Sequence, residues 1–122
     1  MLARAHRFHG YGSLRSVYQH GQTVRGPLIS LRYAPARDSR RPYRVAVVVS
    51  RKVNKSAVKR NRIRRRIYEV VRRADVPPQP GTDLVFTVFS DQVAELEPGK
   101  LQATISELLS KTNIPEHRSL VV

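Results

Sequence analysis

An α+β fold, with a small mixed sheet covered by helices in the order α-β-β-α-β-α, is what this sequence predicts. Three observations carry the prediction. Apolar residues recur at helical spacing in three places: Leu14/Val17/Tyr18, Ile63/Ile67/Val70/Val71/Ala74 and Leu101/Ile105/Leu108/Leu109. Three runs rich in β-branched and apolar residues, 24–34, 44–50 and 83–90, read as strands. Breakers separate these segments, notably the Pro-bounded loop 35–42 and the PPQP run at Pro77–Pro80. The 122 residues suit one domain with a core of its own.

Each element has a local cause. Residues 1–12 read as a flexible basic lead-in, since Gly10 and Gly12 disfavour regular structure. Ser13 can cap a short helix that ends before Gly21. In the strand that follows, Ile29, Leu31 and Tyr33 alternate with Ser30 and Arg32, giving one buried and one exposed face. Arg44–Ser50 lacks alternation and reads as the most buried strand. Ser56 can cap a helix running to about Ala74, and the prolines and Gly81 then redirect the chain. Asp83–Ser90 is a third strand, with Phe86 and Phe89 read as core. A short turn at 90–97 leads to an amphipathic closing helix over Pro98–Thr112. Residues 113–122 read as a tail, which leaves 13–112 as the folded domain.

Charge is concentrated rather than dispersed. The chain carries 23 Lys+Arg against 9 Asp+Glu, a net of +14. Residues 1–73 hold 20 basic and two acidic side chains, and residues 74–122 hold three basic and seven acidic. Eleven of the cations fall within Arg51–Arg73. One cationic face suits a polyanion, and nucleic acid leads because each neutralised phosphate releases a counterion.

The helix after Ser56 concentrates that charge. With Ile63 as origin and 100° per residue, Ile67, Val70 and Ala74 fall within about 40° of it. Arg65 and Arg72 lie opposite, Asn61 and Arg64 to one side of them and Arg62 and Arg73 to the other, with Lys59 and Arg66 bordering the stripe. Glu69 is the segment's one acid, so pairing within the helix cannot neutralise it. Arginine outnumbers lysine seven to one, and its planar fork suits phosphate oxygens. Arg51, Lys52 and Lys55 extend the patch, and the helix N-terminus near Ser56 and Ala57 offers backbone N–H groups.

The run Val49-Ser50-Arg51-Lys52-Val53, then Ala57-Val58-Lys59-Arg60-Asn61-Arg62-Ile63-Arg64-Arg65-Arg66-Ile67, resembles the signature of the bacterial ribonuclease P protein subunit, V-S-K-K followed by A-V-x-R-N-R-I-K-R-x-I-R. Leu14 to Gly21 is similar to that family's F-x-x-V-F/Y-x-x-G, with Leu14 where Phe is common. The turn Asn54-Lys55-Ser56 departs from the family's usual G-N form. The resemblance implies a ribosomal-protein-like two-layer sandwich with a left-handed βαβ crossover, whereas strand-helix-strand units by default cross over right-handed. It also implies a cytoplasmic, monomeric protein that pairs one-to-one with a catalytic RNA and helps remove the 5′ leader of precursor tRNA. Hydrolysis would then use Mg²⁺ on the RNA, with no catalytic residue, metal site or cofactor on the protein. Carried over, Arg60, Asn61 and Arg62 match the R-N-R motif at the RNA contact. Arg51, Lys52, Arg64 and Arg65 match neighbouring basic positions, and Lys55, Lys59 and Arg66 extend the set. The resemblance puts a leader cleft between the sheet and this helix, with Tyr18 and Tyr33 as candidates to line it.

The residues themselves agree with that division of labour. The nine carboxylates are scattered and mostly C-terminal, so no acidic cluster is set to hold catalytic Mg²⁺. His6-x-x-His9 lacks a third ligand for zinc. Cysteine is absent, and no apolar run is long enough to span a bilayer. The basic N-terminus has no apolar h-region of a secretory signal. Two other readings fit the charge: a non-catalytic ribosomal-type RNA binder, and a DNA-binding module, which the lack of a dimerisation seam disfavours.

Overall fold

The computed structural model describes residues 11–36, 40–75 and 77–112. The His6–His9 pair and the tail therefore lie outside the described residues. The elements are helix α1 (Tyr11–His20), strands β1 (Gln22–Val24), β2 (Ile29–Pro35) and β3 (Arg44–Val49), helix α2 (Ala57–Arg72), strand β4 (Thr82–Val88), a 3-10 turn (Asp91–Ala94) and helix α3 (Pro98–Ser110).

Four strands form one sheet in the order β1-β2-β4-β3. The expected strand 24–34 is two strands, because Gly26-Pro27 breaks the ladder and a Cβ on Gly26 would collide with the Ile29 carbonyl. β1 and β4 flank β2 antiparallel, while β3 joins β4 in parallel with α2 as the crossover. The run at 44–50, expected to be the most buried strand, is an edge strand with alternating burial. That role belongs to β4, which β2 and β3 sandwich. Gly81 enters β4 at φ 77°, a conformation favouring glycine, and its N–H donates to the Arg41 carbonyl at 2.7 Å.

The two faces of the sheet carry different loads. Ile29, Leu31, Val45, Val47, Leu84 and Phe86 meet Ile63, Ile67 and Val71 of α2 and Leu101, Ile105 and Leu108 of α3 in the main core. Burying each large aliphatic side chain contributes about 1.5–3 kcal/mol. On the opposite face Val17 of α1 packs on Ala34 and Val85, with Leu14, Ala46 and Val48 around them. Helices thus cover both faces, and α1 covers its face incompletely.

Arg44 and Asp83, partners in the β3–β4 register, lie on the α1 face. Arg44 Nε and Nη2 donate to the two carboxylate oxygens at 2.8 and 2.7 Å, with side chains 13% and 6% exposed. That hydrogen bond raises the Arg44 pKa further above its ordinary value. The pair clasps the only parallel junction of the sheet where the two strands begin. Asp83→Ala is expected to lower unfolding free energy by on the order of 3 kcal/mol, by stranding a largely desolvated guanidinium. An Arg44→Met/Asp83→Leu double variant should regain part of that loss; urea unfolding of both variants measures it.

Candidate nucleic-acid interface

Helix α2 is held by its ends and one stripe. Ser56 caps it, its Oγ accepting from the Lys59 N–H at 3.3 Å, and the Asn54 side chain accepts from the Ser56 N–H at 2.8 Å. Of the amides near Ser56 and Ala57 expected to be open to phosphate, that of Ser56 is therefore committed within the chain. Asn54 also donates to Asp91 at 3.2 Å, tying the helix start to the turn after β4. Ile63, Ile67 and Val71 are fully buried, which fixes the rotation of the helix about its axis.

With that rotation fixed, the predicted cations separate. Arg51, Lys52, Lys55, Lys59, Asn61, Arg62 and Arg65 are exposed, and Arg60 and Arg64 are half-buried. Arg64 Nη1 donates to Asn61 Oδ1 at 2.7 Å, which orients both side chains on one flank. Arg60 keeps its Nε shielded from solvent with no hydrogen-bond partner. Arg62 reaches Glu95 only at 3.8 Å between exposed groups, a contact of little energetic weight. Arg66 departs from the expected set: its guanidinium donates to the Val93 and Leu96 carbonyls, anchoring the turn before α3. Arg72 and Arg73 converge on Glu69 at 2.9 and 3.3 Å, and the Arg72 hydrogen bond holds that carboxyl well below the usual carboxylate range.

The tyrosines do not share a cleft. Tyr33 packs beside the main core and donates to Gln22 Oε1 at 2.9 Å. Tyr18 stands 43% exposed on α1, across the sheet. Between the sheet and α2 the described side chains pack together in the main core. The uncovered strip is on the other face, where Val48, Thr87, Lys52 and Phe89 border a pocket of about 310 Å³. Phe89, expected in the core, is 58% exposed there, because β4 ends at Val88 beyond the reach of α1.

One functional contributor escaped sequence reasoning. Arg32, on the polar face of β2, donates Nε to the Val17 carbonyl at 3.1 Å, Nη1 to Thr23 Oγ1 at 2.7 Å and Nη2 to the Tyr18 carbonyl at 2.6 Å. It satisfies carbonyls of the last α1 turn, with the positive charge at the helix terminus where the dipole favours it. Gly21 completes the lock, since a Cβ there would strike the Val17 and Tyr33 carbonyls. Alternation at 29–33 marked Arg32 as surface, and nothing local signals a helix folding over it.

A model of the family described as Ribonuclease P matches residues 2–113. The chain belongs to the ribonuclease P protein family. It is 41% identical over 108 residues to a ribonuclease P protein component of Chloroflexus aurantiacus, covering 88% of this chain and 78% of that one. A component from a Synechococcus species is 34% identical over 116 residues, covering 93% and 86%. The fold matches the Staphylococcus aureus RNase P protein with a TM-score of 0.73 at 18% identity, over 91% of this chain and 98% of that one. It matches the Thermotoga maritima protein at 0.71, also at 18% identity, over 82% and 91%. Membership makes this chain the protein part of an endoribonuclease in tRNA 5′ processing that works with an RNA subunit, in which the catalysis resides. Among the described residues no group of three His, Asp or Glu is placed to hold a metal ion, and no helix is long and apolar enough to cross a membrane.

Arg66→Ala should lower the melting temperature, as two part-buried carbonyls lose donors worth about 1–3 kcal/mol together, while Arg65→Ala leaves it unchanged; thermal unfolding of the two variants separates the roles. Arg32→Ala should speed amide hydrogen exchange through Val17–Gly21 and spare Ile63–Val71, read by exchange mass spectrometry.

Proposed function

We propose that the exposed side of α2 and the turn before it holds the catalytic RNA, and that the 5′ leader of precursor tRNA runs over the opposite face of the sheet beside α1. Arg60, Asn61, Arg62, Arg64 and Arg65 are the central contacts to the catalytic RNA, with Arg51, Lys52, Lys55 and Lys59 extending them. Arg66 supports the scaffold. One observation carries the reading: α2 seals the core with Ile63, Ile67 and Val71 while most of its cations find no acid among the described residues. Self-repulsion on such a helix is relieved by phosphate. Arg60 belongs to this set by its R-N-R position, although it is half-buried with its Nε shielded from solvent.

For the leader, Tyr18 and Phe89 offer exposed aromatic faces on which unpaired bases can stack, and Lys52 offers a charge beside Phe89. Tyr33, on the other side of the sheet, drops out of this cleft. Mg²⁺ belongs to the RNA in this reading, because Asp83, Glu69 and Glu107 are each occupied by cations of the chain. One protein per RNA, in the cytoplasm, completes it; the large apolar side chains exposed among the described residues are Tyr18, Val58 and Phe89.

Reconstitution tests the whole reading. Protein alone should leave precursor tRNA intact, and the cognate catalytic RNA should restore cleavage at low Mg²⁺; robust cutting by RNA-free protein would refute it. Arg60→Ala and Arg62→Ala should each reduce the slope of log affinity against log salt by about one. Tyr18→Ala and Phe89→Ala should weaken binding of precursor tRNA about tenfold and leave mature tRNA unaffected, as loss of one stacked base predicts. Filter binding of both substrates reads the difference.

A further inference from the structure

The flank of α2 that faces α3 holds a groove that phosphate binding alone does not account for. It encloses about 630 Å³, with Arg62, Arg65 and Arg73 on its rim and Val70, Pro98 and Leu101 along its floor. The acid on that side, Glu69, is turned to Arg72 and Arg73, so the rim keeps a positive balance. Arg66 lies in the groove wall with its fork engaged by the Val93 and Leu96 carbonyls, which makes the wall rigid.

We infer that this groove seats an unpaired nucleotide of the RNA subunit, its base on the Val70–Leu101 floor and its flanking phosphates on Arg62 and Arg65. The inference rests on the reading that α2 faces RNA, and adds to it a pocket and a ligand class. A bare phosphate would leave the apolar floor wet, whereas a nucleobase covers it with a flat, weakly hydrated face. Arginine serves both needs, since its plane stacks on bases and its fork grips phosphate oxygens. Bases within a duplex are stacked and paired, and an A-form major groove is too narrow to offer their edges, so the segment must be single-stranded. Charge complementarity favours RNA, and so does continuity: Arg62 belongs both to this rim and to the R-N-R contact, so a strand crossing α2 reaches the groove without a break.

Gln102 lines the groove from α3 and is exposed, while Ser106, one turn on and also exposed, lies outside it. Both accept glutamate at solvent-facing helical positions, so folding is preserved and the added charge is the same. Gln102→Glu should weaken the complex with the catalytic RNA about tenfold and Ser106→Glu less than twofold, the difference expected for one lost base–arginine seat. In the reconstituted complex, a photoreactive benzoylphenylalanine replacing Gln102 should crosslink to one unpaired nucleotide. Equal effects of the two glutamates, a crosslink to a protein chain, or no RNA crosslink in a formed complex would overturn the groove and leave the α2 contact standing. Failure of the wild-type chain to bind the RNA at all would overturn both.

Discussion

The rotation of α2 about its own axis is the constraint on which the rest depends. Three residues at helical spacing, Ile63, Ile67 and Val71, are fully buried against the sheet. A turn of the helix by even a few tens of degrees would push an arginine into that layer, at a desolvation cost no surface interaction could offset. The apolar stripe therefore determines where the cations point. Each lies at a defined angle from the core, and only its neighbourhood decides whether it meets carbonyl, carboxylate or solvent.

The sheet turns this one helix into a body with two working sides. Parallel pairing of β3 with β4 requires a crossover, and α2 is that crossover, so the cationic helix is tied at both ends to adjacent strands. Asn54 and the Arg44–Asp83 pair fasten those ends. On the opposite side, Arg32 and Gly21 pin the end of α1 to β2 and leave the strip toward Phe89 bare. A two-sided arrangement suits the proposed division, with the catalytic RNA on one side and the leader on the other. If the leader and the catalytic RNA competed for one face, binding either would cost the other its phosphate contacts.

Much of this was legible in the sequence, for reasons that separate local from tertiary causes. The α2 stripe, its Ser56 cap and the closing helix announce themselves, because their periodicities are local and the core they face agrees with them. The valine-rich run at 45–49 misled because an edge strand beside a helix-covered neighbour can be apolar on both faces; Ala46 and Val48 are half-buried under the rim of α1. Alternation with Ile29 and Leu31 already put Tyr33 on the core-facing side, whereas Phe89 could not be assigned a side until the end of β4 was known. Helix α1 begins at Tyr11, ahead of the Ser13 cap expected for it, so Gly12 is accommodated inside its first turn. Arg66 and Arg32 were illegible for a different reason. Their partners are main-chain carbonyls far along the chain, 27, 30, 15 and 14 residues away, and carbonyls carry no residue-specific signal.

Arginine therefore plays two opposed parts in one molecule, and counting charges cannot tell them apart. Arg32, Arg44 and Arg66 have acceptors supplied by the fold, and hold α1, the parallel junction and the turn before α3. Their donors are used up within the fold, and Asp83 neutralises Arg44 outright. Among the described residues Arg62 and Arg65 find no strong acceptor, so their donors stay available and the mutual repulsion of the row is stored until an anion arrives. The first group sets the geometry in which the second is presented. A formal +14 thus overstates the charge offered to RNA and understates its organisation. What the proposed RNA face presents is a short, one-sided row of arginines whose spacing is that of a helix and whose direction is set by three buried aliphatic side chains.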